Sequence, residues 1–453
     1  MDSIQFILLW CTPFSLLGGL IGGFSGLMPG MHPNTLAALI AISPFMALIM
    51  PLVPNELEYS NIIIFGSFLI SILLAHSLTE MIPTAFMGIP NDDTIVALLP
   101  SQRLFASGRW DLLIECTMVG SLGAVILFAI IFIPICGIMG GPFELYRSIK
   151  GFFAIILIGI AILVIVSAGR ARRILSSAAI FLLSGIFGLV VLTLSIPQSI
   201  TELIPSDIWV NDSSCFLLPA FSGFFSVPSL ILMKKKKQSP KFIAQSQEEV
   251  EVPRLTSLLR SILPSTLVGW IPGITNAYAT TLSFIGLRMK SSSLASACRY
   301  LVTYSATNVG GSLHSIIAFF VIGRARNGII ESINDQIGQM DVLPFEIIQP
   351  PMMLLCFLWS ACIGAVVGAL ILRTIGSWIL QNNRFEFGRY VRIGIIVFIM
   401  SLVIAISGPA GLLVLFTSVV LAVLTINMCV SRIHLMGFIL FPVIVHFMSM
   451  LNR

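Results

Sequence analysis

The chain has 453 residues, of which 57% are hydrophobic and only 10% are charged, and its mean hydropathy is +1.01. Soluble domains carry roughly 25% charged residues, so this composition excludes a water-soluble globular protein. The net charge of +5 is typical of cytoplasmic Lys and Arg in a membrane protein, and we expect no nucleic-acid partner.

Apolar runs follow one another along the whole chain, and a helix needs about 20 apolar residues to cross a bilayer. The runs are continuous rather than alternating, which favours helices over a β-barrel. We therefore predict an all-α polytopic membrane protein with about 10 full transmembrane helices plus two broken re-entrant hairpins. The runs lie near 5–27, 33–53, 60–90, 112–140, 151–168, 174–196, 213–233, 257–287, 300–322, 351–372, 393–407, 410–431 and 433–450.

The first hairpin, predicted over 5–53, is interrupted by Gly26-Leu-Met-Pro-Gly30. Proline removes a backbone donor and glycine adopts conformations closed to other residues, so the helix breaks at membrane depth. Half-helix N-termini at such a break suit an anion, and unwound carbonyls suit Na⁺. We predict substrate or ion contacts from the residues at this break and just after it, which are Pro29, Gly30, His32, Asn34 and Thr35.

The run at 60–90 contains ionisable residues, and it is followed by the polar sequence Asn91-Asp-Asp-Thr94. An ionisable group within a membrane span is a functional candidate by default, so we predict His76, Glu80 and Asp92 as proton- or ion-coupling residues. Two alternatives stay open. His76 and Glu80 could satisfy each other in a packing role, and Asp92 could lie in a solvated cytoplasmic turn.

The aqueous segment 234–254 opens with Lys234, Lys235, Lys236 and Lys237, which indicates a charged cytoplasmic linker. It divides the chain into a first transmembrane repeat, 1–233, and a second repeat, 255–453. Loop charges give corresponding spans of the two halves opposite orientations, with both termini outside. This pattern predicts an inverted-topology repeat, which is typical of secondary transporters.

The second half opens with the same motif, Gly269-Trp-Ile-Pro-Gly273, in the middle of the apolar run 257–287. The repetition predicts a second broken hairpin, entering from the cytoplasmic side. An open alternative is that both motifs are simple kinks or tight turns between full spans. The predicted contacts of the second half are Pro272, Gly273, Thr275, Asn276 and, in a later span, Asn308.

These features favour a secondary transporter of an organic anion, coupled to Na⁺ or H⁺, that works by alternating access. A transporter of a phosphorylated polyprenyl lipid carrier is the alternative, because a phosphate headgroup would suit the same helix ends. A Mg²⁺-dependent prenyl transferase would need a second Asp-rich motif, which the sequence lacks. We predict no catalytic residues, no metal site of recognisable ligand spacing and no cofactor other than Na⁺ as a coupling ion.

Several short blocks resemble the large membrane subunit of the tripartite tricarboxylate transporters. They are the two Gly-x-x-Pro-Gly motifs, Gly88-Ile-Pro-Asn-Asp-Asp-Thr-Ile-Val-Ala-Leu-Leu-Pro100 with Phe105-Ala-Ser-Gly-Arg109, and Asn308-Val-Gly-Gly311. The resemblance implies import of di- or tricarboxylates across the cell membrane, with a small membrane subunit and a solute-binding protein as partners. We also consider that two copies of the chain form a homodimer. Met31-His-Pro-Asn-Thr35 departs from the usual glycine-rich sequence, so the chain is most similar to stand-alone archaeal members.

Overall fold

A computed structural model describes residues 3–41, 60–141, 143–193, 213–233, 250–285, 293–337, 351–381 and 388–451. Within these residues all regular structure is helical, and eight helices are long and apolar enough to cross a membrane. This confirms the prediction of an all-α polytopic membrane protein. The linker residues 234–249 and the end of the first predicted hairpin, 42–53, lie outside the described residues.

The first half begins with a short helix, Ser3–Phe6, and a π-helical turn, Ile7–Cys11, that lead into α1. A π-helical segment, Pro83–Met87, follows α3, and another, Ser222–Ser226, joins the last two helices of this half. The helices are α1 (Thr12–Ser25), α2 (Pro33–Ala41), α3 (Ser60–Thr79), α4 (Leu98–Ala106), α5 (Trp110–Met139), α6 (Leu145–Lys150), α7 (Phe153–Val166), α8 (Ala171–Thr193), α9 (Leu217–Phe221) and α10 (Val227–Leu232).

The second half contains fewer and longer helices. One of them, Arg389–Asn427, bends at Pro409, where the preceding Gly408 has a φ of 64°. The helices are α11 (Arg254–Trp270), α12 (Asn276–Leu282), α13 (Leu294–Ile322), α14 (Gly328–Ile337), α15 (Met352–Gln381), α16 (Arg389–Asn427) and α17 (Gly437–Leu451).

The two halves pack in the same pattern. In the first half α3 lies between α1 of its own half and α15 of the other half. In the second half α13 lies between α11 of its own half and α5 of the other half. The helix α2 of the first half contacts α14 of the second half. In the corresponding way, α12 of the second half contacts the 3₁₀ turn Thr94–Val96 of the first half. The hairpin of each half therefore packs beside the opposite half as well as its own.

Small residues let α1 lie directly against the backbone of α3. A Cβ placed on Gly18 or Gly22 would collide with the carbonyl oxygens of Phe68 and Ile72 on α3. No larger side chain fits at this contact, and small residues serve such close helix packing in membrane proteins. The close approach holds the first break, which follows α1, beside the C-terminal end of α3.

Candidate site at the broken helix tips

The first predicted break is present. The helix α1 ends at Ser25, the chain unwinds, and Gly30 has a φ of +84°, a left-handed conformation that favours glycine. Pro33 then begins α2, where its fixed φ suits a first helical turn. Ala41 is the last residue of α2 that the structure describes.

The second break repeats this geometry. The helix α11 ends at Trp270, and Gly273 has a φ of +84°, the same value as its counterpart in the first half. Thr275 caps the following helix, since its hydroxyl accepts a hydrogen bond from the Tyr278 N–H at 3.4 Å. The helix α12 has only seven residues. Both Gly-x-x-Pro-Gly motifs therefore interrupt helices within the apolar runs, as predicted.

A third interruption follows α3 and supplies further polar groups. After the π-helical segment Pro83–Met87, Gly88 has a φ of 72° and ends the helix. The chain then turns at Asn91, whose carboxamide oxygen accepts hydrogen bonds from the Thr94 N–H and hydroxyl, both at 2.7 Å. This turn carries Asp92 and Asp93. Asp92 is 7% exposed, so the predicted alternative of a solvated turn does not describe its surroundings.

Glu80 is the centre of a buried polar cluster. One carboxylate oxygen accepts a hydrogen bond from the Asn308 amide at 2.8 Å, and the other accepts one from the Asn91 amide at 2.6 Å. His76 Nε2 lies 3.8 Å from the carboxylate, and its Nδ1 is 2.9 Å from the Ser25 hydroxyl. Asn308 is the middle residue of the 29-residue candidate span Leu294–Ile322, so the cluster lies deep in the bundle.

Asn276, the first residue after the second break, joins the cluster to the Asp-containing turn. Its amide nitrogen donates to Asn308 Oδ1 at 2.8 Å and to Asp93 Oδ1 at 3.1 Å. Its own amide oxygen is buried without a hydrogen-bond partner. A chain of hydrogen bonds therefore runs from the second half, through Asn276 and Asn308, to Glu80 and Asp93 of the first half.

The imidazole of His32, at the first break, faces the same turn from the other side. Its Nε2 lies 3.7 Å from Asp93 and 4.0 Å from Asp92, in each case measured to a carboxylate oxygen. These ligand-type atoms all lie within 4.8 Å of one another. The sequence gave no metal-ligand spacing, because the histidine and the aspartates lie 60 residues apart. The fold brings these three side chains together, a proximity that their separation in sequence did not indicate.

A small cavity separates the first break from the end of α3. Its walls include the first-break residues Pro29 and Gly30, together with Glu80 and Asn91. The polar cluster is thus open to a space beside the unwound backbone. Two predicted contact residues, Pro29 and Gly30, line this space.

Other predicted residues serve the local structure. Asn34 packs against Gly328, the first residue of α14. The backbone N–H of Asn34 donates to His32 Nδ1 at 3.2 Å, and the buried amide oxygen of Asn34 has no hydrogen-bond partner. Thr35 is buried in α2, and Pro272 lies in the unwound segment of the second break. None of these takes part in the described hydrogen bonds of the cluster. Sequence reasoning omitted Asn91 and Asp93 from the site, although the polar run after Gly88-Ile-Pro90 marked them.

Comparison with known proteins places this arrangement in a family. Residues 13–437 match the sequence model of the Tripartite tricarboxylate transporter TctA family. The chain belongs to this family. An uncharacterized protein of Methanocaldococcus jannaschii is 25% identical over 445 residues, which cover 96% of this chain and 98% of that relative. No solved structure matches the chain.

Membership in the TctA family makes the chain a multi-pass membrane protein of a secondary-transporter family. The family consists of transporters rather than enzymes, and its members work with partner subunits. The match to a relative of nearly the same length agrees with the predicted similarity to stand-alone members.

Proposed function

We propose that this TctA-family member is a cell-membrane symporter that moves an organic anion, a di- or tricarboxylate, together with Na⁺ or H⁺. The observation that supports the proposal most is the hydrogen-bonded chain from Asn276 and Asn308 to Glu80 and Asp93. It unites polar groups of both halves where two helices are broken. Broken helices that meet inside a bundle are the usual binding sites of secondary transporters.

Glu80 is the group we assign to cation coupling, with His76 and Asp92 as further candidates. Its side chain is 5% exposed, and two amides donate to it. A buried carboxylate is costly unless it is paired, so a bound cation or a proton would stabilise it. Neutralising this charge would also reduce the repulsion of an incoming organic anion.

The position of the hydrogen bonds supports the proposal of alternating access. We propose that the chain consists of two inverted repeats, 1–233 and 255–453, whose relative movement exposes the site to each side in turn. The Asn276–Asp93 and Asn308–Glu80 bonds cross between these repeats. The presence or absence of cation and substrate would then determine whether the bonds form.

The test is uptake of labelled citrate and succinate into proteoliposomes that contain the purified full chain, with imposed Na⁺ or pH gradients. We expect gradient-dependent accumulation, and we expect Glu80→Gln to abolish accumulation because the variant lacks the charge that recruits the cation. The matched control is Glu115→Gln, since Glu115 pairs with Arg254 at 2.8 Å on a partly exposed face. Accumulation without either gradient, or unchanged accumulation in Glu80→Gln, would contradict the proposal.

A further inference from the structure

The polar cluster is strongly acidic for a site that receives an organic anion. It contains the carboxylates of Glu80, Asp92 and Asp93, and no Arg or Lys takes part in its described contacts. The nearby imidazoles are those of His32 and His76. A di- or tricarboxylate would add further negative charge to this place. A cation therefore has to accompany the substrate if the site is to bind it.

We propose that His32, Asp92 and Asp93 form a binding site for a divalent transition-metal cation, such as Mn²⁺ or Zn²⁺. A single coupling Na⁺ would be held by oxygen atoms alone, whereas an imidazole nitrogen with two carboxylates is a ligand set that first-row transition metals prefer. Two of the ligands follow the interruption after α3, and the third lies at the first break. The site is thus built from two interrupted segments of the first half.

The distances fit a site that closes slightly around its ion. His32 Nε2 lies 3.7 and 4.0 Å from the nearer oxygens of Asp93 and Asp92. Two ligand atoms about 2.1 Å from a tetrahedral Zn²⁺ lie about 3.4 Å from each other. Relative to this spacing, His32 Nε2 would approach Asp93 by about 0.3 Å and Asp92 by about 0.6 Å, and the two aspartate oxygens, which lie within 4.8 Å of each other, would close by at most about 1.4 Å. Rotation of the side chains supplies movements of this size.

Two buried polar atoms of the cluster have no hydrogen-bond partner. The imidazole of His76 is fully buried, and its Nε2 faces Glu80 at 3.8 Å without a hydrogen bond. The amide oxygen of Asn276, whose nitrogen donates to Asp93, is also buried without a partner. Buried polar atoms of this kind are normally satisfied by protein, water or an ion.

The consequence for the substrate rests on the proposed transport function. Three protein ligands leave at least one coordination position open, as in metal sites that bind a substrate. A carboxylate oxygen of the organic anion would occupy that position. The transported species would then be a complex of a divalent cation with a di- or tricarboxylate, whose charge the acidic cluster tolerates better than that of the free anion.

Metal binding is tested on the purified full chain in lipid nanodiscs, with Mn²⁺ or Zn²⁺ alone and no carboxylate. We expect one bound ion per chain by equilibrium dialysis, and ¹⁴N coupling in the pulsed electron paramagnetic resonance spectrum of bound Mn²⁺ from the His32 ring. His32→Gln should remove the ¹⁴N coupling, and both His32→Gln and Asp93→Asn should lower affinity by about 10-fold or more. Circular dichroism of each variant without metal checks that the fold is retained.

His446→Gln is the matched imidazole control, because His446 is exposed on α17. It should bind Mn²⁺ as the wild type does. The site is overturned if wild-type protein binds no stoichiometric ion, or if the ¹⁴N coupling survives in His32→Gln. Two outcomes separate the metal site from the transport function. Gradient-driven citrate uptake that persists in excess chelator would overturn the metal site alone, whereas metal binding without any carboxylate uptake would overturn the transport function alone.

Discussion

Removing the Asn308 amide should destabilise the fold because this side chain connects the two halves at the cluster. It donates to Glu80 at 2.8 Å and accepts from Asn276 at 2.8 Å, and it is only 2% exposed. A hydrogen bond to a charged group contributes about 1.5–3 kcal/mol and a neutral one about 1 kcal/mol. We therefore expect Asn308→Ala to lower the free energy of unfolding by about 3 kcal/mol. Hydrogen bonds between membrane helices are weaker on average, which sets a lower limit of about 1 kcal/mol for this change.

A double-mutant cycle isolates the contact from other effects of truncation. The free energy of unfolding is measured by denaturant titration in bicelles for Asn308→Ala, for Glu80→Ala and for the double variant. We expect a coupling energy of about 1–3 kcal/mol, because either single substitution already removes the hydrogen bond. Asn308→Ala combined with Glu115→Ala is the control and should be additive within about 0.5 kcal/mol. Additive effects of Asn308→Ala and Glu80→Ala would show that the Asn308–Glu80 hydrogen bond does not stabilise the fold.

The remaining predictions concern the breaks and the close helix contact, and thermal unfolding of the purified variants checks each of them. Gly273→Ala should lower the free energy of unfolding by about 1–2 kcal/mol because its φ of +84° is left-handed. Gly30→Ala should lower it further, since the new Cβ would lie 2.7 Å from Ile399 Cδ1. Gly394 has open space around it, so Gly394→Ala is the control that should not destabilise the protein. Thr275→Ala should lose about 1 kcal/mol of helix capping, which Thr275→Ser should largely restore. Gly22→Ala should cost about 1–3 kcal/mol because its Cβ meets the backbone of α3. Equal stability of Gly273→Ala and wild type would argue against a left-handed tip.

The breaks could be predicted from the sequence because their causes are local. Proline and glycine act on the backbone within a few residues, so Gly26-Leu-Met-Pro-Gly30 and Gly269-Trp-Ile-Pro-Gly273 carry their structural effect with them. The same holds for Gly88-Ile-Pro90. At the two Gly-x-x-Pro-Gly motifs the predicted interruptions agree with the left-handed conformations of Gly30 and Gly273.

The partners of the polar residues could not be predicted, because they depend on helix packing across the halves. Asn276 and Asp93 are 183 residues apart in sequence yet lie 3.1 Å apart between their amide and carboxylate atoms. Sequence reasoning grouped Asn34 and Thr275 with the site because they follow the breaks. In the fold, Thr275 caps a helix and Asn34 packs against α14.

The tip of the second hairpin meets the turn after α3 inside the bundle. The most direct measurement is cross-linking of the double variant Asp93→Cys/Asn276→Cys in membranes, followed by mass spectrometry of the joined peptides. We expect rapid cross-linking by an oxidant or a short bifunctional reagent, because the native side-chain atoms lie 3.1 Å apart. Neither single variant should give this joined peptide. Absence of the cross-link in the double variant, under conditions where both thiols react with a maleimide, would contradict this contact between the two halves.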